Sequence, residues 1–529
     1  MTGIRATFVR TATLSAALVV ATAASAQSNR LPDIGSSAGE VLGPAQQAEY
    51  GAMTLSQLRH YGYVLDDPLL EGWLQGVGNR IAANSDKPRQ SFTFFLLRDR
   101  QINAFATLGG YIGTNAGLVL AADREDQVAS VLSHEVAHVT QDHVLRAVER
   151  AERDSIPILL AMLGAIVVAQ QAGGNSKDDA VMAAVTGAQS LLYQRQIDYT
   201  RDNEAEADRV GIQALSRAGY DAKAMAEFFT ILQAWVRTNQ GGEKERTPDY
   251  LQTHPVTVTR IGDAKERAAQ MPARSTFAAP SNAANPLLPG NLQLGGATLQ
   301  PASGAQFGWA RERLRVLSAD TPAAAVREYE QLRTRAPLTD AQRYGLAVAR
   351  MLANQPGAAL EELTPLLQAH PGDLWLALAT GEAEAKAGKK ADADARFQAL
   401  LARMPRNRAV ALTYARVLAE RADAASGKRA QAVLRPLAAS ASEDPVYQET
   451  FARASELAGD PVRAGEAYAE AEVLNGRPER ALVQLENLKK RSDLDYYARA
   501  RIDARIAAIT PTVLELRRQG IKDDKVDRR

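Results

Sequence analysis

The sequence predicts a mainly α-helical protein of two folded units with a small β component, and three observations carry that expectation. Apolar residues recur at helical spacing over most of the chain, strand-like runs are short and confined to its first half, and helix-length segments of the second half alternate with Pro, Gly, Asp and Asn breaks at a fixed interval. At 529 residues the chain is too long for one ordinary domain, and with 46% apolar and 23% charged residues it is too hydrophobic to be disordered. Basic and acidic side chains number 62 and 61. Nothing in that balance suggests a nucleic-acid binder or a polybasic membrane anchor, so no nucleic-acid partner is expected. The chain has no cysteine, which excludes disulfides, thiolate metal sites and cysteine nucleophiles. Any metal must sit on His, Asp or Glu.

In chain order, residues 1–26 read as a secretory signal. Arg5 and Arg10 precede an uncharged Ala/Leu/Val-rich stretch from Thr11 to Ala23, and Ala24-Ser25-Ala26 is a small-x-small cleavage pattern, with the cut after Ala26. The stretch is shorter than the roughly 20 residues that span a bilayer, so export to the periplasm is the expectation. Residues 27–271 mix helical patterns with a few strand-like runs and hold His60, His134, His138, His143 and His254. The chemistry is expected there. Residues 272–305 are dense in Pro, Gly, Asn and Ser and read as a linker. From 306 to 510, Pro337, Pro371 and Pro405 recur every 34 residues, and three further columns keep that interval: Ala325, Ala359, Ala393; Tyr329, Leu363, Phe397; Leu332, Leu366, Leu400. This is the tetratricopeptide period, with two antiparallel helices per unit and a concave binding surface when units stack. Residues 511–529 form a charged tail.

The most specific motif is His134-Glu135-Val136-Ala137-His138. Residues i and i+4 share a helix face, so two imidazoles converge on one metal while Glu135 reaches the attacking water. A helix is expected because Val128, Leu132, Val136 and Val139 recur at helical spacing and no Pro or Gly occurs from Asp123 to Asp142. A third ligand is needed. His143 lies one residue short of the three-histidine pattern and, on a continuing helix, points about 140° away from His138, so it reads as a solvated helix-end residue. Glu204 is the better candidate. It shares one face with Asp208, which can orient a ligand histidine from behind, whereas Glu206 with Asp202 offers the competing face.

These residues resemble the M48 family of zinc metallopeptidases, in which HExxH is followed at a distance by ExxxD in a Glu-Ala-Asp-Arg context, as in Asn203-Glu-Ala-Glu-Ala-Asp-Arg-Val-Gly211. Asn103-Ala-Phe-Ala106 is similar to the segment that precedes the zinc helix in that family, although the Pro often found near position 108 is Leu here. Signal, peptidase and repeats in this order resemble the family's exported, repeat-bearing subgroup of Gram-negative bacteria from about Ser36 to Ile509. The resemblance implies a zincin-type (gluzincin) domain with a small β-sheet, one Zn2+ per chain on His134, His138 and Glu204, Glu135 as catalytic base and Asp208 behind the ligands. It further implies that His254, in Thr253-His254-Pro255, can take the metal's fourth position and hold the enzyme latent, and that Arg260 contacts the substrate or transition state.

The function this resemblance implies is that of an endopeptidase acting on unfolded or misassembled outer-membrane proteins. The repeats would dock substrate or the outer-membrane barrel assembly complex, with peripheral membrane contact through the apolar segment Ile156 to Ala169 as one option beside a core helix or an active-site flap. A chaperone-like adaptor with a latent or structural metal site is the competing class. Intact Glu135 favours the enzyme, since a structural zinc needs no general base. An extended substrate would bind a strand edge, for which Ser91 to Leu97 and Tyr111 to Thr114 are the candidates.

Overall fold

The computed structural model describes residues 42–147, 200–239, 250–251, 254–271 and 304–518. The expected signal, the linker through residue 303, the apolar segment Ile156 to Ala169 and the last eleven residues lie outside the described residues. Helix α1 spans Pro44–His60 and α2 Pro68–Ala82. Asp67 starts α2 by accepting the Leu70 backbone N–H at 3.1 Å, and Pro68 takes the first turn, where a missing N–H leaves no bond unmade.

Strands β1 (Thr93–Leu97), β2 (Ala104–Ala106) and β3 (Tyr111–Asn115) form one sheet in the order β1-β3-β2, β1 parallel and β2 antiparallel to β3. Gly109 and Gly110, at φ 72° and 82°, turn the chain into β3, and a Cβ on Gly109 would lie 2.6 Å from the Gln47 carbonyl of α1. The central place of β3 removes Tyr111 to Thr114 as a peptide-binding edge. The outer edge of β1 is also largely taken. The Gln75 side chain bonds the Phe92 carbonyl at 3.2 Å and the Phe94 N–H at 3.1 Å, and the Leu65 N–H bonds the Leu96 carbonyl at 2.9 Å. The edge that remains is β2, which runs beside the helix bearing the histidine motif.

That helix is α4 (Glu125–Thr140), which follows the short α3 (Ala116–Ala121) and is buried along its whole length. Glu125 and Asp126 in its first turn suit the positive end of the helix dipole. Against it pack α5 (200–217) and α6 (Lys223–Asn239), and α7 (Val258–Gln270) packs on α6.

Helices α8 (Gly304–Leu317), α9 (Pro322–Arg335), α10 (Asp340–Leu352), α11 (Pro356–Ala369), α12 (Leu374–Lys386), α13 (Lys390–Arg403), α14 (Arg408–Ala419) and α15 (Ala424–Leu434) each pack on their successor. The 34-residue interval is visible in their first residues, Pro322, Pro356 and Lys390 for one series and Asp340, Leu374 and Arg408 for the other. Two of the sequence columns point fully inward: Ala325, Ala359, Ala393, Tyr329, Leu363 and Phe397 have no exposed surface, whereas Pro337, Pro371 and Pro405 are exposed. Small Ala lets helices close on the large residues of the neighbour. The register breaks after α15, where an extra turn at Arg435–Leu437 delays α16 to Pro445–Ala458. Helices α17 (Pro461–Leu474), α18 (Pro478–Lys489) and α19 (Tyr496–Arg518) complete the stack. The tail expected from residue 511 is still helix there, since α19 continues through Pro511 and buries Ile509 and Val513.

One apolar core runs from the sheet and α4 into the repeat helices. Trp73 of α2 packs on Phe307 of α8, ring centroids 6.2 Å apart. Beside them the buried Arg313 grips Asp67 with Nη2 at 2.7 Å and Nε at 3.0 Å from both carboxylate oxygens. Burial works against a charged Asp67, but Arg313 holds its carboxyl below the usual range. Farther along, Arg408 of α14 meets Glu71 at 2.7 Å, and the Gly476 carbonyl beyond α17 lies 3.0 Å from His60 Nδ1 in α1. A Cβ at Gly476 would stand 2.4 Å from the Ser56 carbonyl, so the repeat stack returns to α1 through a contact that only glycine fits. The peptidase and repeat helices, from Pro44 on, thus make one compact body.

Candidate metal centre

Helix α4 presents His134 and His138 on one face, as the i, i+4 spacing requires, with their Nε2 atoms 3.0 Å apart. Opposite lies α5. Gly211 permits the approach, since a Cβ there would already be 3.0 Å from the Ser133 carbonyl and 3.1 Å from the His134 N–H. Glu204, Asp208 and Gly211 follow at i, i+4 and i+7, so the face that touches α4 also carries the two acids. Glu204 Oε2 is 3.4 Å from His134 Nε2 and Oε1 is 3.3 Å from His138 Nε2.

The segment before α7 closes the fourth side. His254 Nδ1 is 2.8 Å from Glu204 Oε1 and 3.4 Å from His134 Nε2. Its other nitrogen, Nε2, lies 3.8 Å from Glu135 Oε1. Tyr250, fully buried, stacks on the His254 ring with centroids 4.7 Å apart, and its carbonyl accepts the His254 N–H at 2.7 Å. Thr257 caps α7 by accepting the Arg260 N–H at 3.2 Å.

The donor atoms of His134, His138, Glu204 and His254 all lie within 4.8 Å of one another, and all four residues are buried. Asp208 Oδ1 stands 2.9 Å from His134 Nδ1. A carboxylate that close to Nδ1 favours a proton there and leaves Nε2 as the nitrogen that faces Glu204. Ring lone pairs and a carboxylate thus converge on one buried point, an arrangement that demands positive charge between them. Titration reflects the demand. Burial opposes charge on His134, yet Glu204 and Asp208 raise its pKa to about 10, while burial, offset in part by Glu204, pulls His138 down to about 3. Burial alone would raise the Glu204 carboxyl, but the histidines hold it well below the usual range. A divalent cation on these four donors meets the demand directly, and binding it displaces the second His134 proton, the one on Nε2, while Nδ1 keeps its own. The residues fit a metal.

Glu135 lies beside the donor cluster, its Oε1 3.8 Å from His254 Nε2, without joining it. Burial raises its carboxyl pKa, against the pull of His254 and His134 and, to a smaller extent, of the nearby Ala106 N–H at the end of β2. The base thus stands at the strand edge left open by the sheet.

Two residues have partners that the sequence does not show. The first is Arg260. It is buried, with Nε and Nη2 on the two Asp208 oxygens at 2.7 and 2.8 Å, Nη1 at 2.7 Å from Glu204 Oε2, and Nη1 also donating to the Pro255 carbonyl at 2.8 Å. It ties the His254 segment to both acids of α5. His143 is not solvated. Helix α4 stops at Thr140, and Asp142 takes a left-handed φ of 55°, swinging the chain so that His143 Nδ1 comes 2.8 Å from His138 Nδ1. Because α4 ends at Thr140, His143 is not carried about 140° away from His138 as it would be on a continuous helix. An Asp, which tolerates left-handed backbone, one residue before the histidine was the available signal. Glu206, on the competing face of α5, meets His143 at 3.1 Å and no donor of the cluster. Asp202 is absent from that cluster as well. Tyr250 carried no signal in the sequence that marked it.

A buried HExxH helix over a small sheet, faced by a second helix bearing a glutamate four residues before an aspartate, defines a gluzincin-type metallopeptidase. Residues 68–268 match peptidase family M48. A Yersinia pestis beta-barrel assembly-enhancing protease is 31% identical over 479 residues, 90% of this chain and 90% of that one. The Escherichia coli K12 protein of the same name is 34% identical over 379 residues, 70% of each chain. A Vibrio cholerae relative assigned to the same proteases is 42% identical over 242 residues, about half of each chain at 46% and 48%. The chain belongs to peptidase family M48 and is a metalloprotease. Among the described residues no helix is long and apolar enough to cross a membrane.

Proposed function

We propose that this protein is a zinc-dependent endopeptidase of the periplasm that cleaves misassembled outer-membrane proteins, with its tetratricopeptide-like repeats docking substrate or the barrel assembly machinery. The convergence of His134, His138, Glu204 and His254 in one buried cluster beside Glu135 carries the chemistry, and relatives named beta-barrel assembly-enhancing proteases carry the setting. The cysteine-free, exported-looking sequence agrees with that compartment.

His134, His138 and Glu204 would hold one zinc, with Asp208 and Arg260 fixing the acid and imidazole from behind. When bound, zinc supplies a Lewis acid for the scissile carbonyl and acidifies water. Glu135 takes the proton of the attacking water and passes it to the leaving amine nitrogen. The open edge of β2 at Ala104–Ala106 holds the substrate backbone extended, ending where the Ala106 N–H meets Glu135. The test of the ligand set is metal content after dialysis. Glu204→Ala is expected to lose zinc, while Glu206→Ala, which removes no donor of the cluster, keeps at least part of it; the reverse order would reject Glu204 as ligand.

His254 makes the resting enzyme latent. Its ring reaches the donor cluster through Nδ1 and Glu135 through Nε2, so it fills the place between base and ligands that water and substrate need. His254→Ala is therefore expected to raise basal cleavage of casein or of an unfolded barrel protein, and self-cleavage, with zinc retained. Unchanged or lower cleavage would reject the latch.

A further inference from the structure

The two motif histidines are supported from behind by different means, and the support of His138 is absent from the sequence motifs. His134 has an acid at its back, Asp208. His138 has an imidazole. Its Nδ1 lies 2.8 Å from Nδ1 of His143, whose Nε2 lies 3.1 Å from Glu206 Oε2, and that same oxygen accepts Nη2 of Arg146 at 2.9 Å. His138 and His143 are both buried, while Glu206 is about 30% exposed, so the chain leads from the centre to the surface.

Proton counting gives this chain one direction. Two nitrogens 2.8 Å apart make a bond only if one carries the proton. Glu206, held by Arg146, is an acceptor, so His143 Nε2 is the donor to it and a neutral His143 keeps a bare Nδ1. That bare nitrogen accepts from His138 Nδ1–H. His138 then has its lone pair on Nε2, the atom that faces Glu204 and His134. The other tautomer of His138 would aim a proton into the donor cluster.

The geometry points to His143 as a positioning residue that, with Glu206 and Arg146, fixes the tautomer and ring orientation of His138 for metal binding. The fold supplies the device through one turn. Asp142, left-handed and held by Lys87 Nζ at 2.6 Å, ends α4 and restarts a helical turn in which the Arg146 N–H bonds the Asp142 carbonyl at 2.8 Å. His143 and Arg146, three residues apart, then share the face that meets Glu206.

The inference rests on the zinc reading of the site, and the test separates the two. Zinc affinity of the full chain is measured by chelator competition for wild type, His143→Leu, His143→Asn and Glu206→Ala, with melting of the metal-free proteins as a check on folding. His143→Leu removes the acceptor and is expected to weaken zinc about 10- to 100-fold, the usual loss when a ligand's hydrogen-bond partner is deleted. His143→Asn, whose Oδ1 accepts in place of Nδ1, recovers most of that loss. Glu206→Ala reads the same chain from its exposed end and weakens zinc by less than His143→Leu, which keeps the test open if the leucine variant does not fold. With cobalt in place of zinc, the visible absorption bands of His143→Leu shift and those of His143→Asn stay near wild type. A wild type that binds no zinc would overturn the zinc reading itself. A wild type that binds, with either His143→Leu or Glu206→Ala unchanged, or with Leu and Asn equally impaired, would overturn the positioning role alone.

Discussion

Glu135→Gln is expected to lower peptide-bond cleavage by about 10²- to 10⁴-fold, the range a positioned acid–base group contributes, with zinc still bound. The amide keeps the length and shape of the side chain at a fully buried position, so the strand edge and the helix should stay in place. The variant loses the ability to take a proton. Burial raises the carboxyl pKa of Glu135, which makes it a stronger base than a solvated glutamate and the amide a correspondingly poorer stand-in. Cleavage of casein or an unfolded barrel protein, beside metal content, checks the result. Undiminished turnover would place the base elsewhere. Loss of zinc together with activity would mean that Glu135 holds metal, contrary to its position outside the four-residue cluster.

The sequence was most legible where one local rule decides geometry. His134 and His138 share a face because i and i+4 always do on a helix, and Glu204 with Asp208 follows the same rule. The 34-residue columns are legible for a related reason: a residue that packs the same way in each unit must recur at the unit's period, and Ala325, Ala359 and Ala393 are all fully buried. Legibility fails where backbone leaves the helix. One left-handed residue, Asp142, converts His143 from a helix-end residue into a neighbour of His138, and an extra turn at Arg435–Leu437 shifts the repeat register. It fails again for partners distant in sequence. Nothing in the sequence around Arg260 marks its pairing with Asp208, 52 residues earlier. Strand order is of the same kind. Tyr111 to Thr114 reads as an edge as well as any strand, and only the pairing with both β1 and β2 shows it to be the centre.

The largest structural effect is expected from removing the repeats. Residues 272–305 have a linker's composition, which favours a peptidase that folds alone, yet one apolar core runs through both parts. Ending the chain at residue 303 would strip α8 from α2, expose Trp73 where Phe307 covers it, and leave the buried Asp67 carboxylate without Arg313. Deleting one partner of a buried pair costs about 3–5 kcal/mol by itself, against a total stability of about 5–15 kcal/mol for a typical domain. The truncated peptidase is therefore expected to be insoluble or aggregated and to hold no zinc, as read by size-exclusion chromatography and metal content. A soluble monomer with full zinc would show that the peptidase completes its own core. Two variants of the full chain separate charge from packing. Arg313→Met leaves Asp67 buried and unpaired and should lower the melting temperature markedly. Adding Asp67→Asn removes that charge while its side-chain oxygen can still cap α2, so the double variant should recover part of the loss. Recovery would assign the coupling of the two parts to the ion pair, whereas equal melting of single and double variants would assign it to the apolar contact around Trp73 and Phe307.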